Sequence, residues 1–204
     1  MKKDQFFEYC VNAYRPAESL LKMVPAPIEL EHNPLYHALR DWGKDARIIN
    51  CDAPPENLTF MNGDGCVEVY DPAEHDAFIA SADLLVALDF NDIRRVRQLE
   101  ATFRAASGKK IVIDHHREPS PFADFYCSIP DASSTAEIVY DVIGGDDAAL
   151  SQPIALGLYV GIMTDSSTLL HANGHHMMVV AEPLRQAVDR IAGQHGQITS
   201  LKRL

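Results

Sequence analysis

Two continuous apolar runs organise the middle of the chain: Leu84-Leu85-Val86-Ala87-Leu88, and Ile111-Val112-Ile113 after Lys110. Runs of this length between polar flanks read as buried strands rather than helices. Between them, residues 92–106 carry apolar positions at helical spacing, and a helix near 73–80 precedes the first run. Upstream, residues 46–50 and Val67-Glu68-Val69 read as further strands, with a turn at Pro54-Pro55-Glu56-Asn57. Downstream, a strand at 125–129 leads into a helix from about 134 to 143, where Ser134 and Glu137 have capping-box spacing and Gly144-Gly145 closes the end. Ser151 caps a strongly apolar helix from Ile154 to Met163. Strands alternating with helices predict an α/β fold, a doubly wound, mostly parallel sheet flanked by helices.

The flanks are less regular. Residues 4–23 show Phe6, Phe7, Cys10, Val11, Tyr14, Leu20 and Leu21 near helical spacing, so a helix is expected there, split by Pro16. Three prolines between Met23 and Pro34 argue for loop or edge strand, with Ile28-Glu29-Leu30 extended. Pro34 opens a short helix through Leu39, closed by Gly43. Residues 177–191 read as helix again. The expected organisation is an N-terminal helix and irregular segment over 1–34, a catalytic-type domain over 35–192 and a tail over 193–204.

Composition narrows the classes. The chain has 204 residues, 47% hydrophobic and 23% charged, enough for a full core in a soluble globular protein. A net charge of −11 argues against gripping long nucleic acid, though not against a short anionic substrate held by a metal ion. Four scattered cysteines exclude a zinc ribbon and point to reduced thiols in a cytoplasmic setting. No apolar stretch reaches the roughly 20 residues that span a bilayer, and Asp4 and Glu8 interrupt any signal-peptide core.

The chemistry collects at element tips. Asp114-His115-His116 ends the second apolar run, Asp89 ends the first, and Asp165 ends Gly161-Ile162-Met163-Thr164. Carboxylate and imidazole together suit Mn²⁺, Zn²⁺ or Fe²⁺, and strand tips in α/β sheets are where such sites are built. Blander readings hold elsewhere. Asp92 reads as a helix N-cap, Asp52 and Asp83 as turn or strand-start residues, and Arg94, Arg95 and Arg97 as a solvated helix face. His37 reads as a surface or half-buried histidine. His171 and His175 are four apart, but Asn173-Gly174 between them breaks a helix, so with His176 they read as loop. The cysteines and Trp42 are assigned to packing.

Leu88-Asp89-Phe90, Val112-Ile113-Asp114-His115-His116, Ser133-Ser134-Thr135-Ala136-Glu137 and Gly161-Ile162-Met163-Thr164-Asp165-Ser166 fall in the order and spacing of the DHH phosphoesterase family. Tyr36 to Arg40, Gly43-Lys44, Ile48-Ile49 and Pro55-Glu56 also resemble the stretch after that family's first motif, so the resemblance runs from roughly Leu35 to Thr168. It implies a Mn²⁺-dependent (or Mg²⁺-dependent) hydrolase, closest to the branch acting on 3′-phosphoadenosine 5′-phosphate and short oligoribonucleotides, with a manganese pyrophosphatase as an alternative. Carried onto this chain, Asp89 resembles the carboxylate that bridges two ions, and His115 and Asp165 resemble ligands of one of them. His116 would meet substrate phosphate, and Asp114 would orient an imidazole from behind. The implied partner is a small phosphorylated nucleotide or short oligonucleotide, with no long nucleic acid and no membrane, and a homodimer is compatible.

Two departures qualify the resemblance. The family's first motif is a His followed by an Asp-Gly-Asp turn, whereas this chain reads His32-Asn33-Pro34-Leu35. Glu29, Glu31 and His32 are the candidate substitutes, and retention of a single ion is the corresponding expectation. The family's smaller substrate domain, with its Gly-Gly-His motif, is not expected within these 204 residues, where His171, Gly174, His175 and His176 do not match it in context. A catalytically impaired nucleotide- or metal-binding module is therefore the alternative from another class.

Overall fold

The computed structural model describes residues 21–23, 32–54, 56, 61–62, 65–144 and 150–165. Six strands make one sheet: β1 Leu21–Met23, β2 Ile48–Asn50, β3 Val67–Val69, β4 Leu84–Leu88, β5 Lys109–Asp114 and β6 Phe125–Ser128. They lie in the order β3-β2-β1-β4-β5-β6, and every pairing among them is parallel. The α/β, doubly wound sheet expected from the alternation is the observed architecture. Its order changes direction between β1 and β4, the place where the carboxyl ends of strands open a crevice in folds of this kind.

The helices divide between the two faces. On one face α1 (His32–Asp41), α4 (Thr135–Val142) and α5 (Gln152–Asp165) bring Leu35, Leu39, Ile138, Val139, Leu158 and Ile162 against Val86, Leu88, Ile111 and Ile113. On the other, α2 (Pro72–Ala80), a 3-10 segment (Ile93–Leu99) and α3 (Glu100–Ala105) bring Ile79, Val96, Leu99 and Phe103 against Leu85, Ala87 and Val112. Alternate residues of β4 thus serve opposite cores, and all five are buried. That explains a continuous apolar run instead of an alternating one. Burying each large aliphatic side chain contributes about 1.5–3 kcal/mol, so β4 and β5 anchor the sheet and hold their tips in fixed register, Leu88 beside Ile113.

Close backbone approaches tighten the frame. A methyl group on Gly108 would lie 2.1 Å from the Ala82 carbonyl oxygen, and one on Gly157 of α5 would lie 2.7 Å from the Pro34 ring of α1. Asp71 caps α2 through the Ala73 N–H at 2.8 Å, and Asp92 caps the 3-10 segment through the Arg94 N–H at 3.0 Å, as its position suggested. Ser134 caps α4 by accepting from the Glu137 N–H at 3.3 Å. Glu137 returns to the Ser133 N–H and hydroxyl rather than to Ser134.

Three features differ from what the sequence predicts. Leu21–Met23 is a strand, not the end of a helix, because it fills the central gap between β2 and β4. Residues 92–106 do not form one helix. Ile93–Leu99 is 3-10, broken at Arg97 (φ 43, ψ −115), and α-helix resumes at Glu100. The break sits where the segment is tied to the tip of β2: Cys51 Sγ donates to the Val96 carbonyl at 2.8 Å, and Arg97 pairs with Asp52 at 2.8 Å. Trp42 is not packed but half exposed at the end of α1, where Gly43 turns the chain at φ 74. Residues 4–20, the Ile28-Glu29-Leu30 segment and the helix expected at 177–191 lie outside the described residues.

Candidate metal centre

Adjacent strands carry the site. Asp89 follows β4 and Asp114 ends β5, so the pairing of Leu88 with Ile113 puts their carboxylates side by side at the carboxyl edge of the sheet. Asp89 adopts a left-handed conformation, φ 60, with its N–H donating to the Ile113 carbonyl at 3.0 Å. That conformation is uncommon outside glycine and best tolerated by Asp and Asn. It ends the β4 ladder while keeping the side chain buried, 1% exposed.

The Asp89 carboxylate has a dedicated donor. Thr135, at the first turn of α4 and itself fully buried, gives its hydroxyl to Asp89 Oδ1 at 2.6 Å. Burial nevertheless dominates and raises the Asp89 carboxyl to about 6, against the pull of Thr135, His115 and His116. In sequence Thr135 belongs to the small polar run Ser133-Ser134-Thr135, which by itself predicts no such contact. A hydroxyl residue directly after a helix cap was the available signal.

His115 and His116 follow β5 with rings at 71° and centroids 4.8 Å apart. His115 Nε2 lies 3.0 Å from Asp165 Oδ2 and 3.5 Å from Asp89 Oδ1. Its Nδ1 lies 3.3 Å from the Ala132 carbonyl. Burial resists charge on this imidazole, but the hydrogen bond to Asp165 and the two nearby carboxylates outweigh it and raise the group to about 9. His116 points Nδ1 at Asp114 Oδ1, 2.7 Å away, which leaves Nε2 without a hydrogen-bond partner among the described residues. Its carbonyl accepts from the Ser128 hydroxyl at 3.2 Å.

All five residues expected at the site therefore converge. Asp89, His115 and His116 each place one donor atom within 4.8 Å of the others; Asp165, from the end of α5, joins through His115; Asp114 stands behind His116. Glu29, Glu31 and the side chain of His32 lie outside the described residues, as do His171, His175 and His176. Two observations fit a divalent cation. The donors are carboxylate oxygen and imidazole nitrogen, the set suited to Mn²⁺, Fe²⁺ or Zn²⁺. Asp114 Oδ2 is fully buried without a hydrogen-bond partner among the described residues, and a buried polar atom left unpaired is costly unless a further group satisfies it. No helix among the described residues is long and apolar enough to cross a membrane.

Comparison with known proteins converges on the same region. Residues 8–162 match the family model described as "DHH family, N-terminal domain". The chain is 31% identical over 139 residues to the bifunctional oligoribonuclease and PAP phosphatase NrnA of Thermus thermophilus. That match covers 68% of this chain and 39% of the relative, so the chain spans well under half of the relative's length. An exopolyphosphatase-related protein from Bacteroides fragilis has a similar solved structure, with a TM-score of 0.81 and 27% identity, over 92% of this chain and 59% of that one.

Proposed function

The chain belongs to the DHH family of phosphoesterases, and from that premise we propose that it is a metal-dependent hydrolase of small nucleotide phosphomonoesters or short oligonucleotide phosphodiesters. The observation that carries the reading is the convergence of Asp89, His115 and His116 from the tips of two adjacent strands, within 4.8 Å of one another, with Asp165 of a third element 3.0 Å from His115. The similar relative named for oligoribonuclease and PAP phosphatase activity supports the substrate class.

The metal would be held by Asp89, His115 and Asp165, with Mn²⁺ or Mg²⁺ as the proposed ion. When bound, such an ion neutralises charge on phosphoryl oxygens and acidifies an attacking water. The chain's own residues do the rest. Thr135 fixes the Asp89 rotamer, so the carboxylate is aimed before any ligand arrives. Asp165 and the Ala132 carbonyl hold the His115 ring at both nitrogens; to ligate, that ring gives up its proton. Asp114 takes Nδ1 of His116 and leaves Nε2 to meet a phosphoryl oxygen as charge accumulates on it. His116 is 37% exposed, so a substrate reaches it from solvent.

The test is phosphate release from 3′-phosphoadenosine 5′-phosphate and from a short oligoribonucleotide, with Mn²⁺ and with chelator, beside Asp89→Asn. Mn²⁺-dependent release that the substitution abolishes is expected. Release indifferent to chelator and to Asp89→Asn would sink the reading. A second reading, a metal- or nucleotide-binding module without turnover, is favoured by one observation: His32-Asn33-Pro34-Leu35 stands where the family carries its Asp-Gly-Asp ligands. Mn²⁺ binding at one ion per chain without phosphate release would support it.

A further inference from the structure

We propose that Arg117 is a specificity-determining residue that binds a second anionic group of the substrate, a phosphate other than the one cleaved. The proposal rests on the phosphoesterase reading of the same site. Arg117 directly follows His116 and is exposed. Among the described residues its guanidinium has no ion-pair or hydrogen-bond partner, whereas other arginines are committed. Arg40 pairs with Asp45, Arg47 with Glu68, Arg94 with Asp92, Arg97 with Asp52 and Arg104 with Glu100.

The backbone that carries Arg117 is held with unusual firmness for an exposed loop. Ser128 donates to the carbonyl just before it at 3.2 Å, and Asn91 Nδ2 donates to its own carbonyl at 2.7 Å. Three residues on, the Ser120 N–H returns to the Asn91 carbonyl at 2.7 Å, so one residue of the β4 loop latches both ends of the turn. Tyr126 closes the far side, its hydroxyl donating to the Ser120 carbonyl at 2.9 Å and accepting from the Phe122 and Ala123 N–H groups. Pro119 and Pro121 stiffen the loop, and Glu118 is forced to φ 58 immediately before Pro119. A strained residue persists only where its surroundings over-determine it, and such places cluster at ligand sites.

Charge supplies the rest. The site is lined by Asp89, Asp114 and Asp165, Glu118 is adjacent, and the chain carries −11 overall. A metal ion offsets the phosphate that is cleaved, but a second phosphate on the same small ligand has no share in that ion and needs its own cation. An unpaired guanidinium binds phosphate through two parallel N–H donors, and a pre-held loop spares the ordering cost of binding.

The experiment measures, with Mn²⁺ present, the calorimetric Kd of adenosine 3′,5′-bisphosphate and of adenosine 3′-monophosphate, which keeps the phosphate at the metal and lacks the second one, alongside phosphate release from the bisphosphate. Wild type, Arg117→Gln and Arg117→Lys are compared. Tighter binding of the bisphosphate by wild type is expected, with that preference reduced about tenfold in Arg117→Gln and partly kept in Arg117→Lys, and with KM following Kd. Equal weakening of both ligands, no weakening of either, or no preference in wild type would overturn the proposal. A preference that depends on Arg117 without phosphate release would uphold it while removing the hydrolase reading, so the two fail separately.

Discussion

Thr135 and Asp89, 46 positions apart in the chain, are joined by a 2.6 Å hydrogen bond between two buried side chains. The bond connects the first turn of α4 to the tip of β4. It is the orienting contact that the metal-ligating role proposed for Asp89 would require.

Thr135→Val keeps the shape and removes the donor. Mn²⁺ affinity is expected to fall about 10- to 100-fold, read by calorimetric titration, while Thr135→Ser restores most of it. Unchanged Mn²⁺ affinity in the valine variant would show that Asp89 needs no such support.

The His115–Asp165 pair sets a pH dependence. The imidazole goes from an ordinary 6.5 to about 9 in the folded chain, so the folded state holds a proton that the unfolded chain releases earlier. Its stabilising contribution is full below about pH 6.5 and is lost as pH rises through about 9. The Tm of chelator-treated protein should therefore decline across that interval more steeply than that of His115→Gln. Mn²⁺ affinity should rise over the same interval, because the ion displaces that proton. Parallel Tm profiles for the two proteins would contradict the assignment.

Glu68 holds an edge of the sheet in the same way. Its carboxylate accepts from Arg47 in a two-pronged contact and lies 3.1 Å from Nε2 of His75, which is 1% exposed. The Arg47 hydrogen bond holds it below the usual carboxylate range. The stability it contributes is present above that range and lost as pH falls through its lowered value. Glu68→Gln is expected to cost about 1–3 kcal/mol at neutral pH, and to flatten the acid limb of stability followed by urea unfolding.

Two glycines give a test of packing that is independent of the chemistry. Gly108→Ala drives a methyl group to 2.1 Å from the Ala82 carbonyl oxygen, a rigid backbone atom, and is expected to cost about 3 kcal/mol or more. Gly157→Ala meets the Pro34 ring at 2.7 Å and is expected to cost about 1–3 kcal/mol. Because α5 ends in Asp165, the second substitution should also weaken Mn²⁺ binding, whereas Gly108→Ala acts at the opposite end of β5. Denaturant midpoints and Mn²⁺ titrations of both variants separate the two effects.

The sequence by itself determined the elements whose signals are local. The runs at Leu84–Leu88 and Ile111–Ile113 could only be buried strands, and the caps at Asp92 and Ser134 are side chains placed to satisfy free N–H groups at helix starts. It also exposed Asp89, Asp114, His115, His116 and Asp165, because polar groups at the ends of apolar runs are conspicuous.

Tertiary structure decided what depends on partners far along the chain. Leu21–Met23 is a strand only because β2 and β4 leave a place between them, and three residues of alternating character carry no period of their own. Arg97 breaks its helix because Cys51 and Asp52 hold the segment against β2. Thr135 reaches Asp89, and Asn91 latches the turn after His116, across 46 and 26 positions. Periodicity records which face a residue shows to the core, while hydrogen bonds between distant loops are fixed only when strand order and register bring those loops together.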